Sequence, residues 1–181
     1  MSETANPDQL SLEAKSAYQK GDFLKSAEVF QAAADGYQSA GDRLNSAEMA
    51  NNRSVALLQG GKTEAALQAV EGTVEIFASL GDKRRQAMAL GNRAAALNKL
   101  NRVDEAISDY EQAADLFKQV GEHDLRAPVL QAISVLQLRK GRQIESLVSM
   151  NAGLHEFEQP KPIQRLLKRL LDLPLKIFFR S

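Results

Sequence analysis

Gly91-Asn-Arg-Ala-Ala-Ala-Leu-Asn-Lys-Leu-Asn-Arg-Val-Asp-Glu-Ala-Ile-Ser-Asp-Tyr-Glu-Gln-Ala113 carries two apolar stripes of helical period with a turn signal between them. Before the turn, Ala87, Leu90, Ala94, Leu97 and Leu100 recur at steps of three and four. After it, Val103, Ala106, Ile107, Tyr110, Ala113, Ala114 and Phe117 do the same, each set forming one continuous face of a helix. Period-two alternation is absent, and Ala, Leu, Glu, Gln, Lys and Arg dominate, all strong helix formers. The spacing predicts two antiparallel helices meeting at Asn101, a residue that, like Gly, suits the left-handed cap closing a helix.

The same pattern recurs along the chain. Gly21, Gly61, Asn101 and Gly141 are spaced by forty residues, as are the aromatics Tyr37, Phe77, Phe117 and Phe157. Gly41-Asp42, Gly81-Asp82 and Gly121-Glu122 mark the second turn of each period, ending one helix and offering an acid to the next. Small residues occupy two further columns, Ala14, Ser54, Ala94, Ser134 and Ser26, Ala66, Ala106, Ser146. They let paired helices approach closely, while the bulky aromatic column fills the space beside them. An internal period of this length signals stacked units that cannot bury their apolar faces alone. The expectation is an all-α solenoid of four helix pairs, at about 7–41, 42–81, 82–121 and 122–158, after a flexible segment 1–6. Pro128 falls early in the first helix of unit four, which predicts either a later start near Asp124 or a kink.

Asn52-Arg-Ser-Val-Ala-Leu-Leu-Gln-Gly-Gly-Lys-Thr-Glu-Ala-Ala66, together with the opening stretch, resembles a tetratricopeptide repeat. The sets Gly21-Ser26-Phe30-Ala33, Gly61-Ala66-Val70-Thr73, Asn101-Ala106-Tyr110-Ala113 and Gly141-Ser146-Met150-Gly153 follow that family's pattern with decreasing fidelity. The forty-residue unit departs from the usual 34 and lacks the closing Pro, as in lengthened variants of the repeat. The resemblance implies a right-handed α-solenoid whose first helices line a concave face that binds a peptide or partner helix.

Mapped onto this chain, that face comprises Asn51, Asn52, Val55 and Gln59 in unit two and Gly91, Asn92, Ala95, Asn98 and Lys99 in unit three. Gln131, Val135, Leu138 and Arg139 follow in unit four. A carboxamide both donates to and accepts from a peptide backbone, so Asn52 and Asn92, one period apart, suit an extended ligand. Arg53 and Arg93 follow them and could pair with a carboxylate. The carboxylate clamp of chaperone-binding members is not reproduced: Asn52 matches, whereas Ser11, Lys15, Met88 and Asn92 do not. The implied function is a non-enzymatic protein-interaction adaptor. A scaffold recruited to a membrane surface by its tail and a peptide-sensing regulator are the alternatives.

Composition narrows the remaining chemistry. The chain has 181 residues, 44% of them hydrophobic, with 23 basic and 23 acidic side chains, so no overall charge favours nucleic acid. With no Cys there is no disulfide, thiolate nucleophile or zinc–cysteine site. Gly61-Lys62-Thr63 imitates the end of a phosphate loop, but Ala56 stands where that loop needs Gly. His123 and His155 lack the spacing of a metalloprotease helix. No catalytic, metal or cofactor site is expected. The polar, acidic start and the absence of a long apolar run predict a cytoplasmic location, or a peripheral one at the inner membrane face.

Gln159-Pro160-Lys161-Pro162 ends the repeat pattern, leaving 159–181 as a basic amphipathic helix. Residues 161–180 hold six basic residues against Asp172, a balance of +5 that leaves −5 on the rest. Ile163, Leu166, Leu167, Leu170, Leu171 and Leu173 oppose Gln164, Arg165, Lys168 and Arg169, and Lys176, Phe178, Phe179 and Arg180 follow Pro174. Three roles fit: a cap over unit four, an interfacial membrane contact, or an insert into a groove of the same chain or of a second copy.

Overall fold

The computed structural model describes residues 6–178, with side chains through Asp172, and every regular element among them is helical. The helices are α1 (Pro7–Gln19), α2 (Phe23–Ser39), α3 (Arg43–Gln59), α4 (Thr63–Val70), α5 (Thr73–Ser79), α6 (Lys83–Lys99), α7 (Val103–Gln119), α8 (His123–Arg139), α9 (Gln143–His155) and α10 (Pro162–Phe178). Consecutive helices pack side by side, and α6 also reaches back to α3, α4 and α5, which makes the molecule a solenoid.

One joint is used throughout. Gly21, Gly41, Gly61, Gly81, Asn101, Gly121 and Gly141 all have φ between 60° and 82°. At each, the residue after the turn donates its N–H to a carbonyl five positions back, as in Asp22 to Ala17 (3.0 Å), Asp82 to Phe77 (3.0 Å) and Arg142 to Gln137 (2.9 Å). The turn residue itself donates three back, which completes a Schellman motif. Asn101 is the non-glycine member, tolerated because Asn visits the left-handed region at low cost. Asp42 and Asp82 then cap the next helix, accepting from the backbone N–H of Asn45 (3.0 Å) and Arg85 (2.9 Å). Glu122 does not cap; its longer carboxylate accepts from Arg84 Nε instead (2.6 Å).

The small columns meet where expected. Ser26 Oγ donates to the Ala14 carbonyl (2.9 Å), Ser134 and Ser146 share a hydrogen bond (3.0 Å), and all eight column members are buried. Phe77 and Phe117, 1% and 3% exposed, fill the space beside them. Apolar burial forms two clusters, one on α1–α4 with Ala96 of α6 and a larger one on α3–α8, and Leu67 packs on the edge of both.

Two details depart from a uniform stack. The second helix of unit two is not continuous: Glu71 is extended and Gly72 left-handed (φ 79°), separating α4 from α5. Gly is a weak link in a helix, and here it stands in a column otherwise held by Ala32, Gln112 and Ala152. Pro128 lies inside α8, which starts at His123 in register with α3 and α6 and continues to Arg139, so the delayed start does not occur. The proline's missing donor falls in the second turn, and its exposed ring faces away from the buried side.

At the N-terminal end, Tyr37 Oη donates to Asp8 Oδ1 (2.5 Å), tying α2 to α1. That bond, with partial burial and the Asp8 charge, pushes the phenol from 10.0 to about 12. The folded phenol keeps its proton where the unfolded one has lost it. Its contribution to stability is therefore full below pH 10 and is lost as pH rises from 10.0 to about 12. In a tyrosinate absorbance titration, Asp8→Ala is expected to return this late phenol toward 10.0.

Candidate groove across the first helices

The first helices α3, α6 and α8 lie one period apart, and their shared face carries two adjoining depressions. The smaller, about 90 Å³, lies between α3 and α6 and is lined by Glu48, Asn51, Asn52, Phe77, Arg84, Arg85 and Met88. The larger, about 330 Å³, lies between α6 and α8 and includes Met88, Gly91, Asn92, Leu125, Pro128 and Ala132 over a floor of Tyr110 and Phe117. Met88 borders both, so the two adjoin in one groove that crosses α6 along the direction in which the repeats stack.

The floor is set by packing. Asn51 is 4% exposed, beneath the surface, and its Oδ1 accepts from Asn92 Nδ2 (2.9 Å) across the α3–α6 gap. This bond orients Asn92, whose half-buried carboxamide borders the larger depression, while Asn52 borders the smaller. Ion pairs hold the wall. Arg85 bridges Glu48 (2.9 Å) and Asp82 (2.7 Å), and Arg84 bridges Glu122 (2.6 Å). Hydrogen bonding from Asp82 and the nearby Glu48 charge hold the Arg85 guanidinium above its ordinary range, so it is fixed as a cation.

Of the other expected groove residues, Asn98 accepts from Arg139 (2.9 Å), which also reaches Asn101 (3.3 Å), closing the far end between units three and four. Gln59, Lys99 and Gln131 are exposed at the margins. Val135 and Leu138 are exposed on α8, 54% and 60%. Arg93 turns away from the groove and makes a bidentate pair with Asp109 of α7 (2.7 and 2.8 Å). Periodicity does not mark Glu48, Met88 and Pro128 as groove residues. They share one forty-residue column, four residues before Asn52, Asn92 and Ala132, and their lack of identity hides the column.

Gly91 is the informative glycine. It sits mid-way in α6, where Gly costs about 0.5–1 kcal/mol relative to Ala. A Cβ built there meets nothing within 4 Å. By contrast, one at Gly36 would lie 3.0 Å from Pro7, and one at Gly153 would lie 3.3 Å from Leu130, so packing explains both. Internal packing does not explain Gly91; the bare backbone it leaves opens the groove at its centre. No group of three metal-ligating side chains occurs among the described residues.

An open groove floored by stacked helix pairs defines a tetratricopeptide-like α-solenoid. The crystal structure of BtubC (BKLC) from P. vanneervenii superposes with a TM-score of 0.75 at 19% identity, covering 87% of this chain and 68% of that one. The crystal structure of a point variant of a Podosopora anserina putative kinesin light chain with nearly identical TPR-like repeats gives 0.69 at 15% identity, covering all of both chains. At such identities the likeness concerns the fold. The chain belongs to the soluble NSF attachment protein (SNAP) family, whose model matches residues 7–147. Among curated proteins none is significantly similar in sequence.

Proposed function

We propose that this chain is a non-enzymatic adaptor, a forty-residue variant of the tetratricopeptide architecture, that holds a peptide or partner helix in the groove over α3, α6 and α8. The observation that carries this reading is Gly91: a helix-interior glycine with free space above it lets a ligand backbone approach α6 closely. Met88 beside it supplies an adaptable apolar contact, and Asn52 and Asn92 supply donors and acceptors for a backbone. Gln59, Asn98, Lys99, Gln131 and Arg139 extend the polar margin. Attachment to another protein is also what the family's name describes, which favours an adaptor.

Substitution at Gly91 separates fold from function. Gly91→Ala is expected to stabilise the protein by about 0.5–1 kcal/mol in urea unfolding. Gly91→Leu is expected to remain folded while filling the groove. In affinity capture, Gly91→Leu and Asn52→Ala should lose partners that the wild type and Glu28→Ala, on the exposed face of α2, retain. Equal recovery by all four baits would remove the groove from the mechanism. Asn92→Ala is a poorer probe because it strips the buried Asn51 carboxamide of its donor. A peptide-sensing regulator shares this groove and adds a rise in melting temperature with ligand.

A further inference from the structure

We propose that α10 docks on an anionic membrane surface, lying flat with Ile163, Leu166 and Leu170 turned into the lipid. Helix α10 packs against α9 and makes no comparably extensive contact with another helix. Its half-buried side comprises Gln164, Leu167, Lys168 and Leu171, and Asp172 fixes the crossing by accepting from Asn151 (3.2 Å) and pairing with His155 Nε2 (2.9 Å). That leaves a second apolar line uncovered: Ile163, Leu166 and Leu170 are 60%, 53% and 58% exposed and follow one another at steps of three and four.

Charge identifies what covers it. Arg169 and, further round, Arg165 are exposed along one edge of this line, Lys161 is exposed just before the helix, and none of them, nor Lys168, forms a salt bridge among the described residues. Cations without a salt bridge also occur in the repeats, Arg43, Arg53, Lys62 and Lys99 among them, but on α10 they stand along an exposed apolar row. An apolar line flanked by such cations matches the layering of an anionic bilayer, acyl chains below and phosphates at the rim. No described helix is long and apolar enough to cross a membrane, so the contact is in-plane. Lys176 and Phe178 belong to the last turns of α10, beyond the described side chains, and Phe179 and Arg180 lie outside the described residues.

The test is flotation of the full chain with vesicles of phosphatidylcholine, with and without phosphatidylserine. Binding to the anionic vesicles is expected, weakening as salt rises. Arg165→Gln/Arg169→Gln should lower partitioning about thirty-fold, since each cation near the surface contributes roughly a factor of five. Leu166→Glu/Leu170→Glu should abolish it. Leu12→Glu, altering an equally exposed leucine on α1 (67%), should leave it unchanged. All these positions are solvent-exposed, and unchanged melting temperatures would confirm intact folds. Absence of binding to anionic vesicles, or full binding by Leu166→Glu/Leu170→Glu, overturns the proposal. Self-association in sedimentation that the leucine pair alone removes, without vesicle binding, would overturn it in favour of a second copy on this face. Groove binding is read separately through Gly91→Leu, so either idea can fail alone.

Discussion

Phe77→Ala is expected to lower the free energy of unfolding by about 3–5 kcal/mol, read as a shift of the urea midpoint at unchanged slope. The side chain is 1% exposed, in the larger apolar cluster, and it forms part of the floor of the smaller depression beneath Asn52 and Met88. Its backbone carbonyl also anchors the joint to α6, accepting from Asp82 N–H (3.0 Å). The residue lies in the last turn of the short helix α5, after the Gly72 break. A domain of this size holds only about 5–15 kcal/mol in total, so this single ring is a large fraction of it. Phe77→Leu, keeping most of the volume, should cost under about 1.5 kcal/mol. A Phe77→Ala protein unfolding within about 1 kcal/mol of wild type would contradict the packing described for this column.

The second large effect belongs to the pair of Arg93 and Asp109. Asp109 is 6% exposed and accepts from two guanidinium nitrogens, Nε and Nη2, bracing α6 against α7. Its hydrogen bonds push the Arg93 guanidinium above its ordinary range, and a guanidinium stays charged even when such a partner is removed. Asp109→Ala therefore strands a half-buried cation, a loss of about 2–3 kcal/mol, below that of a fully buried charge. The figure sits at the low end because Glu75, 3.8 Å from Arg93, supplies part of the missing charge. Arg93→Met/Asp109→Ala should recover much of that loss, since neither charge then remains. A double variant less stable than Asp109→Ala would show that the pair is not acting through desolvation.

Most of the fold is readable because the residues that pack repeat in identity. The columns of Ala14 and Ser26 must stay small and those of Gly21 and Gly41 must adopt positive φ, so forty-residue periodicity survives there. The Gly72 break is not readable, since one glycine inside an apolar helical pattern is compatible with a continuous helix. The groove is half readable. The Asn pair at 52 and 92 stands out by repetition, and both side chains border the groove. Which carboxamide becomes the floor depends on rotation of α3 by one residue, and that places Asn51 rather than Asn52 beneath Asn92. The column of Glu48, Met88 and Pro128 makes a different contact in each unit, an ion pair to Arg85 at Glu48 and an apolar one at Met88, so its three dissimilar members leave no signal.

The interruption at Glu71 and Gly72 also lies beside open space. On the far flank of α6 from the groove, α4 stands off from α7 and leaves a depression of about 380 Å³ between Leu67, Arg93, Leu97 and Arg102. The two apolar clusters adjoin at Leu67, which borders this depression. A larger side chain at Ser108 would therefore enter this depression without displacing either apolar cluster.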